Sequence, residues 1–114
     1  MNAKDVKPQP PIKVQLDKER SLHYDLNAFI ALEEYYGDVD SALAAFETGS
    51  MKALRSVLWA GLIHEDDSLT PKDVGVLVMV SDVERITAAM MEALERGMPA
   101  GAPEGNARPP ETGE

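Results

Sequence analysis

The chain has 114 residues, with 20 acidic against 11 basic side chains, a formal net charge of −9 and no cysteine. That length holds one domain, the lack of cysteine excludes a disulfide framework or an all-cysteine zinc site, and the acidic surface repels phosphate backbones, so nucleic acid is not an expected partner. No apolar run nears the roughly 20 residues of a membrane span, and Met1 to Pro11 lacks the apolar stretch of a signal peptide, so the expected location is the cytoplasm, away from membranes.

Proline divides the chain. Seven of the eight prolines flank its middle, with Pro8, Pro10 and Pro11 ahead and Pro99, Pro103, Pro109 and Pro110 behind. Met98 to Glu114 holds seven Pro or Gly in 17 residues and too little apolar surface to offset the entropy of ordering. That composition predicts a disordered tail, and residues 1–11 are expected to be a disordered lead-in. Between them, Ile12 to Gly97 is expected to form one mainly α (α+β) domain, an N-terminal β-hairpin followed by a compact bundle of about five helices.

Ile12, Val14 and Leu16 alternate with polar residues, and Leu22 and Tyr24 resume the alternation after the polar break Asp17-Lys18-Glu19-Arg20. This predicts a hairpin with one buried face. From Asp25 the period becomes helical: Leu26, Phe29, Ile30, Leu32 and Tyr36 share a broad arc, and Gly37 supplies the stop. A short second helix carries Val39, Ala42, Leu43 and Phe46 at i, i+3, i+4 and i+7 and ends at Gly49. Ser50 is a good N-cap for a third helix reaching about Ile63 or His64. Thr70-Pro71-Lys72-Asp73 opens a fourth, with Thr70 as cap, Pro71 at the first helical position and Asp73 complementing the dipole. Val74 to Val80 is rich in β-branched residues, and the cap chemistry decides for helix over strand. Ser81 with Glu84 forms a capping-box pattern for the last helix. Its Val83, Ile86, Met90, Ala93 and Leu94 make a stripe that stops at Gly97 and Pro99.

Residues able to carry chemistry are few. His64-Glu65-Asp66-Asp67 gathers carboxylates that a calcium or magnesium ion could use. Adjacent residues rarely converge on one ion, however, and the calcium-loop pattern with its central glycine is absent. The plainer reading is a solvated turn with His64 at a helix C-terminus. Without cysteine, and with His23 and His64 outside any serine motif, nucleophilic catalysis has little to work with. There is no glycine-rich phosphate loop. His23, between Leu22 and Tyr24, is expected to face away from both. No catalytic residue, cofactor or metal is expected.

Two features bear on binding instead. Glu33 falls inside the apolar arc of the first helix, where it either pairs with a cation such as Arg55 or lies at the arc's edge and reaches water. In the third helix, Leu54, Val57, Leu58, Gly61 and Leu62 form the inward stripe, while Trp59 and Ile63 stand together on the opposite side. A helix apolar on both sides is either central to its own domain or covered by another chain. Trp59 and Ile63 are accordingly the candidate partner-binding residues.

The segments Asp25-Leu26-Asn27-Ala28-Phe29, Leu32-Glu33-Glu34 with Gly37, Leu54-Arg55, Leu58-Trp59-Ala60-Gly61-Leu62 with His64-Glu65-Asp66, Leu69-Thr70-Pro71 and Val74-Gly75 follow in an order that resembles the tail assembly chaperones of long-tailed bacteriophages. Related proteins occur in prophages and gene-transfer agents, and the resemblance spans about Ile12 to Val80. It implies a small, mainly helical, non-enzymatic protein that binds the long, aggregation-prone tape-measure protein before the tail tube polymerises around it. The tail-tube protein is a further candidate partner. The resemblance also implies self-association, action in the host cytoplasm and absence from the mature virion, and it carries over no catalytic residue. The alternative function is a small acidic cytosolic interaction module, adaptor or antitoxin-like, unrelated to tails. A metal-dependent enzyme built on His64 to Asp67 stands third.

Overall fold

The computed structural model describes residues 11–97. The expected disordered stretches at 1–11 and 98–114 lie outside them, apart from Pro11. The described chain is mainly helical: a two-stranded antiparallel hairpin, β1 (Ile12–Gln15) and β2 (Glu19–Leu22), precedes five α-helices.

The hairpin register pairs Ile12 with Leu22, Lys13 with Ser21, Val14 with Arg20 and Gln15 with Glu19. Residues opposite one another share a face, so Ile12, Val14, Leu22 and, just beyond the strand, Tyr24 enter the core as their alternation predicts. The expected polar break is narrower than Asp17 to Arg20, because Glu19 and Arg20 belong to β2. Arg20 even lies on the inner face, 6% exposed. Its Nε and one terminal nitrogen donate to the two carboxylate oxygens of Asp17, at 2.8 and 3.0 Å. A turn residue thus neutralises a cation that the register drives inward.

Each helix from α1 to α4 starts at a side chain that accepts a backbone N–H, the usual remedy for unpaired donors of a first turn. Asp25 caps α1 (Leu26–Tyr36), Asp38 caps α2 (Val39–Glu47), Ser50 caps α3 (Met51–Leu62), and Thr70 caps α4 (Pro71–Leu77) in a reciprocal box with Asp73. Gly37 and Gly49 end α1 and α2 with φ of +112° and +97°, where a β-carbon would be strained. The Ser81–Glu84 box does not form. Val80–Asp82 instead makes a 3-10 turn without a side-chain cap, and α5 (Val83–Gly97) starts after it. The extended residues Val78 and Met79 place that turn, so Ser81 falls inside it rather than at the helix entrance.

α3 is the central element, packed against α1, α2, α4 and β2, while α5 lies along the hairpin. Its Val57, Leu58 and Leu62 are fully buried, as are Leu32 of α1, Val74 of α4, and Ile86 and Met90 of α5. The arc expected for α1 needs correction. Ala28 and Leu32 are its buried residues and Phe29 and Tyr36 are half-buried, but Leu26 is 74% and Ile30 41% exposed. α1 packs on α3 with Ala28 and Leu32 on its buried face, and this turns Leu26 and Ile30 outward. Glu33 is exposed and reaches water, so it makes no buried pair with Arg55.

Candidate partner-binding groove

The polar cluster at His64 is where an enzyme would be sought, and its geometry is that of a strap. His64, Glu65 and Asp66 follow the last turn of α3, with the Glu65 and Asp66 N–H groups donating to the Leu62 carbonyl. Ser21 Oγ on β2 donates to Glu65 Oε2 at 2.7 Å and lies 3.4 Å from His64 Nε2. Nucleophile activation needs the base to take the hydroxyl proton, whereas here that proton points at a carboxylate. The Ser21 hydrogen bond holds Glu65 below its usual carboxylate pKa, with help from His64 and Arg20, and Ser68 does the same for Asp66. The acidic turn therefore ties the hairpin to α3 beside the buried Arg20. Among the described residues no group of three or more His, Asp or Glu side chains could hold a metal ion. His23 is exposed on the outer face of the hairpin, its ring 5.4 Å from that of His64.

Trp59 and Ile63 are both half-buried by the chain's own packing. The Trp59 indole N–H donates to the Leu69 carbonyl at 2.8 Å, and its ring sits 5.6 Å from that of Tyr35. An indole whose polar edge is satisfied internally fixes the residue just ahead of the α4 cap. The central position of α3 accounts for the buried part of both side chains, and the partner-surface reading concerns the part left exposed.

An open apolar surface lies where α3, the end of α4 and the start of α5 meet. Met51 and Leu54 of α3, Val76 and Val78 at the end of α4, and Val80 and Val83 at the entrance to α5 line a groove of about 690 Å³. Val76 is 83% exposed, Val80 81% and Met51 59%. The β-branched run from Val74 to Val80 explains the exposure. Val74 is buried against α3, helical order ends at Leu77, and the chain then straightens across the surface. Lys52, Arg55, Lys72 and Gly75 complete the lining, and every ionisable residue in it is a cation. The sequence signal for the groove was the β-branched run itself, whose excess over what one buried helix face needs points outward.

Comparison with known protein families, with curated proteins and with solved structures finds no match to the chain.

Proposed function

We propose that this chain is a tail assembly chaperone of the long-tailed-bacteriophage type, a non-enzymatic protein that holds the tape-measure protein soluble in the host cytoplasm until the tube forms around it. The observation that carries the reading is the exposed aliphatic groove between α3, α4 and the start of α5. Exposed apolar surface gathered in a groove and rimmed by charged residues suits a protein–protein contact, and an apolar helical client is what a chaperone of this type takes. The ordered resemblance from Asp25 to Gly75 supplies the client's identity. Self-association and contact with the tail-tube protein belong to the same proposal.

The test is co-expression with the tape-measure protein encoded in the same gene cluster. The chain is expected to raise the client's soluble yield and to co-purify with it. Val76→Asp and Val80→Asp, at positions with little packing to lose, are expected to abolish co-purification while circular dichroism stays helical. A tape-measure protein that remains insoluble beside abundant chain would overturn the chaperone reading and leave the adaptor or antitoxin-like module as the alternative.

A further inference from the structure

We infer that the groove takes an amphipathic helix that presents a carboxylate to Arg55. This deepens the chaperone reading by giving the client's chemistry, and it can fail independently of the client's identity.

Arg55 is the unsatisfied group of the groove. Its Nε is buried without a hydrogen-bond partner, and a terminal nitrogen donates to the Tyr35 hydroxyl over a long 3.4 Å. A guanidinium presents five N–H donors in a fork that matches a carboxylate, and leaving one buried and unpaired is costly. The side chain is nevertheless given its place. α4 carries glycine at position 75, where a β-carbon would stand 3.0 Å from Arg55 Cδ, so the stem passes over bare backbone. Lys52 and Lys72 line the same groove. In a chain with 20 acidic and 11 basic residues, a lining whose ionisable members are all cations is a local reversal of sign.

The form of the occupant follows from the walls. The groove lies between helices and offers no sheet edge to extend, and aliphatic rather than aromatic side chains form it. Strand addition needs an unpaired edge and polyproline recognition an aromatic floor, which leaves a helix laying its apolar stripe into the groove. A carboxylate flanking that stripe would accept charge-assisted hydrogen bonds from the terminal nitrogens of Arg55, since its Nε is closed off from solvent. Because the net charge of −9 repels acidic partners elsewhere, the cationic lining would also set the helix's register.

The test uses the full chain and a set of labelled amphipathic peptides of about 20 residues, long enough for a helix to form. One Glu is moved through each position flanking the stripe, with a Gln counterpart for each, and binding is read by fluorescence anisotropy. At least one Glu peptide is expected to bind about tenfold more tightly than its Gln counterpart. Arg55→Met, which keeps the stem and removes the charge, should erase that preference, and Val76→Asp should abolish binding of both peptides. Lys52→Met with Lys72→Met should reduce the preference, which keeps the inference testable if Arg55→Met misfolds. Equal binding of every Glu and Gln pair would overturn it. So would a Glu preference that survives Arg55→Met, or a groove found closed by a second copy that excludes the peptides. Equal peptide binding beside full rescue of the tape-measure protein would remove the acidic anchor alone. Failed rescue with the Glu preference intact would remove the chaperone reading alone.

Discussion

At Gly61, a β-carbon would stand 2.7 Å from the Cζ of Tyr24 and 2.8 Å from its hydroxyl. The Tyr24 ring packs against the bare α3 backbone there, its hydroxyl donating to the Val57 carbonyl at 2.8 Å, while the His23 N–H donates to the Gly61 carbonyl at 3.0 Å. Burial pushes the Tyr24 phenol well above its usual pKa, so it stays a neutral donor. Gly61→Ala is expected to force the ring away. The overpacking cost should exceed the gain in helix propensity and destabilise the domain by about 1–3 kcal/mol in urea unfolding. Gly75 is a contrasting case on α4, because the atom a β-carbon would meet belongs to the flexible stem of Arg55. Gly75→Ala is expected to leave the melting temperature unchanged or raised, since alanine gains up to about 1 kcal/mol in a helix, yet to weaken the Glu-peptide preference by displacing the guanidinium.

At the scale of the element, the hairpin depends on one turn carboxylate. The Arg20 guanidinium beside Asp17 lowers its pKa from the usual carboxylate range to about 2. A depressed folded-state pKa contributes stability that is fully present above the unfolded value near 4 and lost as pH falls through the folded one. The domain is therefore expected to lose stability between about pH 4 and pH 2. Asp17→Asn should flatten that part of the profile and lower stability at neutral pH, because Arg20 would remain buried without its counter-ion. Thermal melts of both proteins across this range provide the check; a profile unchanged by the substitution would show that the pair contributes nothing.

For the whole molecule, the proposed chaperone role makes net charge a factor in how a client is met. With a net charge of −9 the chain repels other acidic proteins at long range, which favours solubility of a loaded complex. Raising salt to about 0.5 M shortens the Debye length to a few ångströms and relaxes that repulsion, while it weakens a partly buried ion pair only slightly. Co-purification of the client is therefore expected to persist at 0.5 M sodium chloride. A complex that dissociates there would be held by exposed charges rather than by Val76, Val80 and Met51.

The features legible in the sequence alone are those completed within a few residues. The caps at Ser50 and Thr70 with Asp73, and the stops at Gly37 and Gly49, satisfy backbone groups locally and need no distant partner. The hairpin's alternation and the stripe of α5 were legible for the same reason, since one face of each repeats at a fixed period. Tertiary structure decided which face of each element turns inward. Leu26 and Ile30 looked as apolar as Leu32, and only the packing of α1 on α3 set them outside. Arg20 looked like a turn residue until the register with Val14 drove it into the core. Trp59 stands opposite the inward stripe of α3, and only the fold supplies the Leu69 carbonyl, ten residues further along the chain, that takes its N–H. The groove is the strongest example. Met51 and Val80 are 29 positions apart, and no local period joins them; the crossing of α4 over α3 and the 3-10 turn before α5 do. Local hydrogen bonding thus determined where the elements begin and end, and long-range burial determined the surface available to a partner, because apolar contact is non-directional and goes to whichever face packs best.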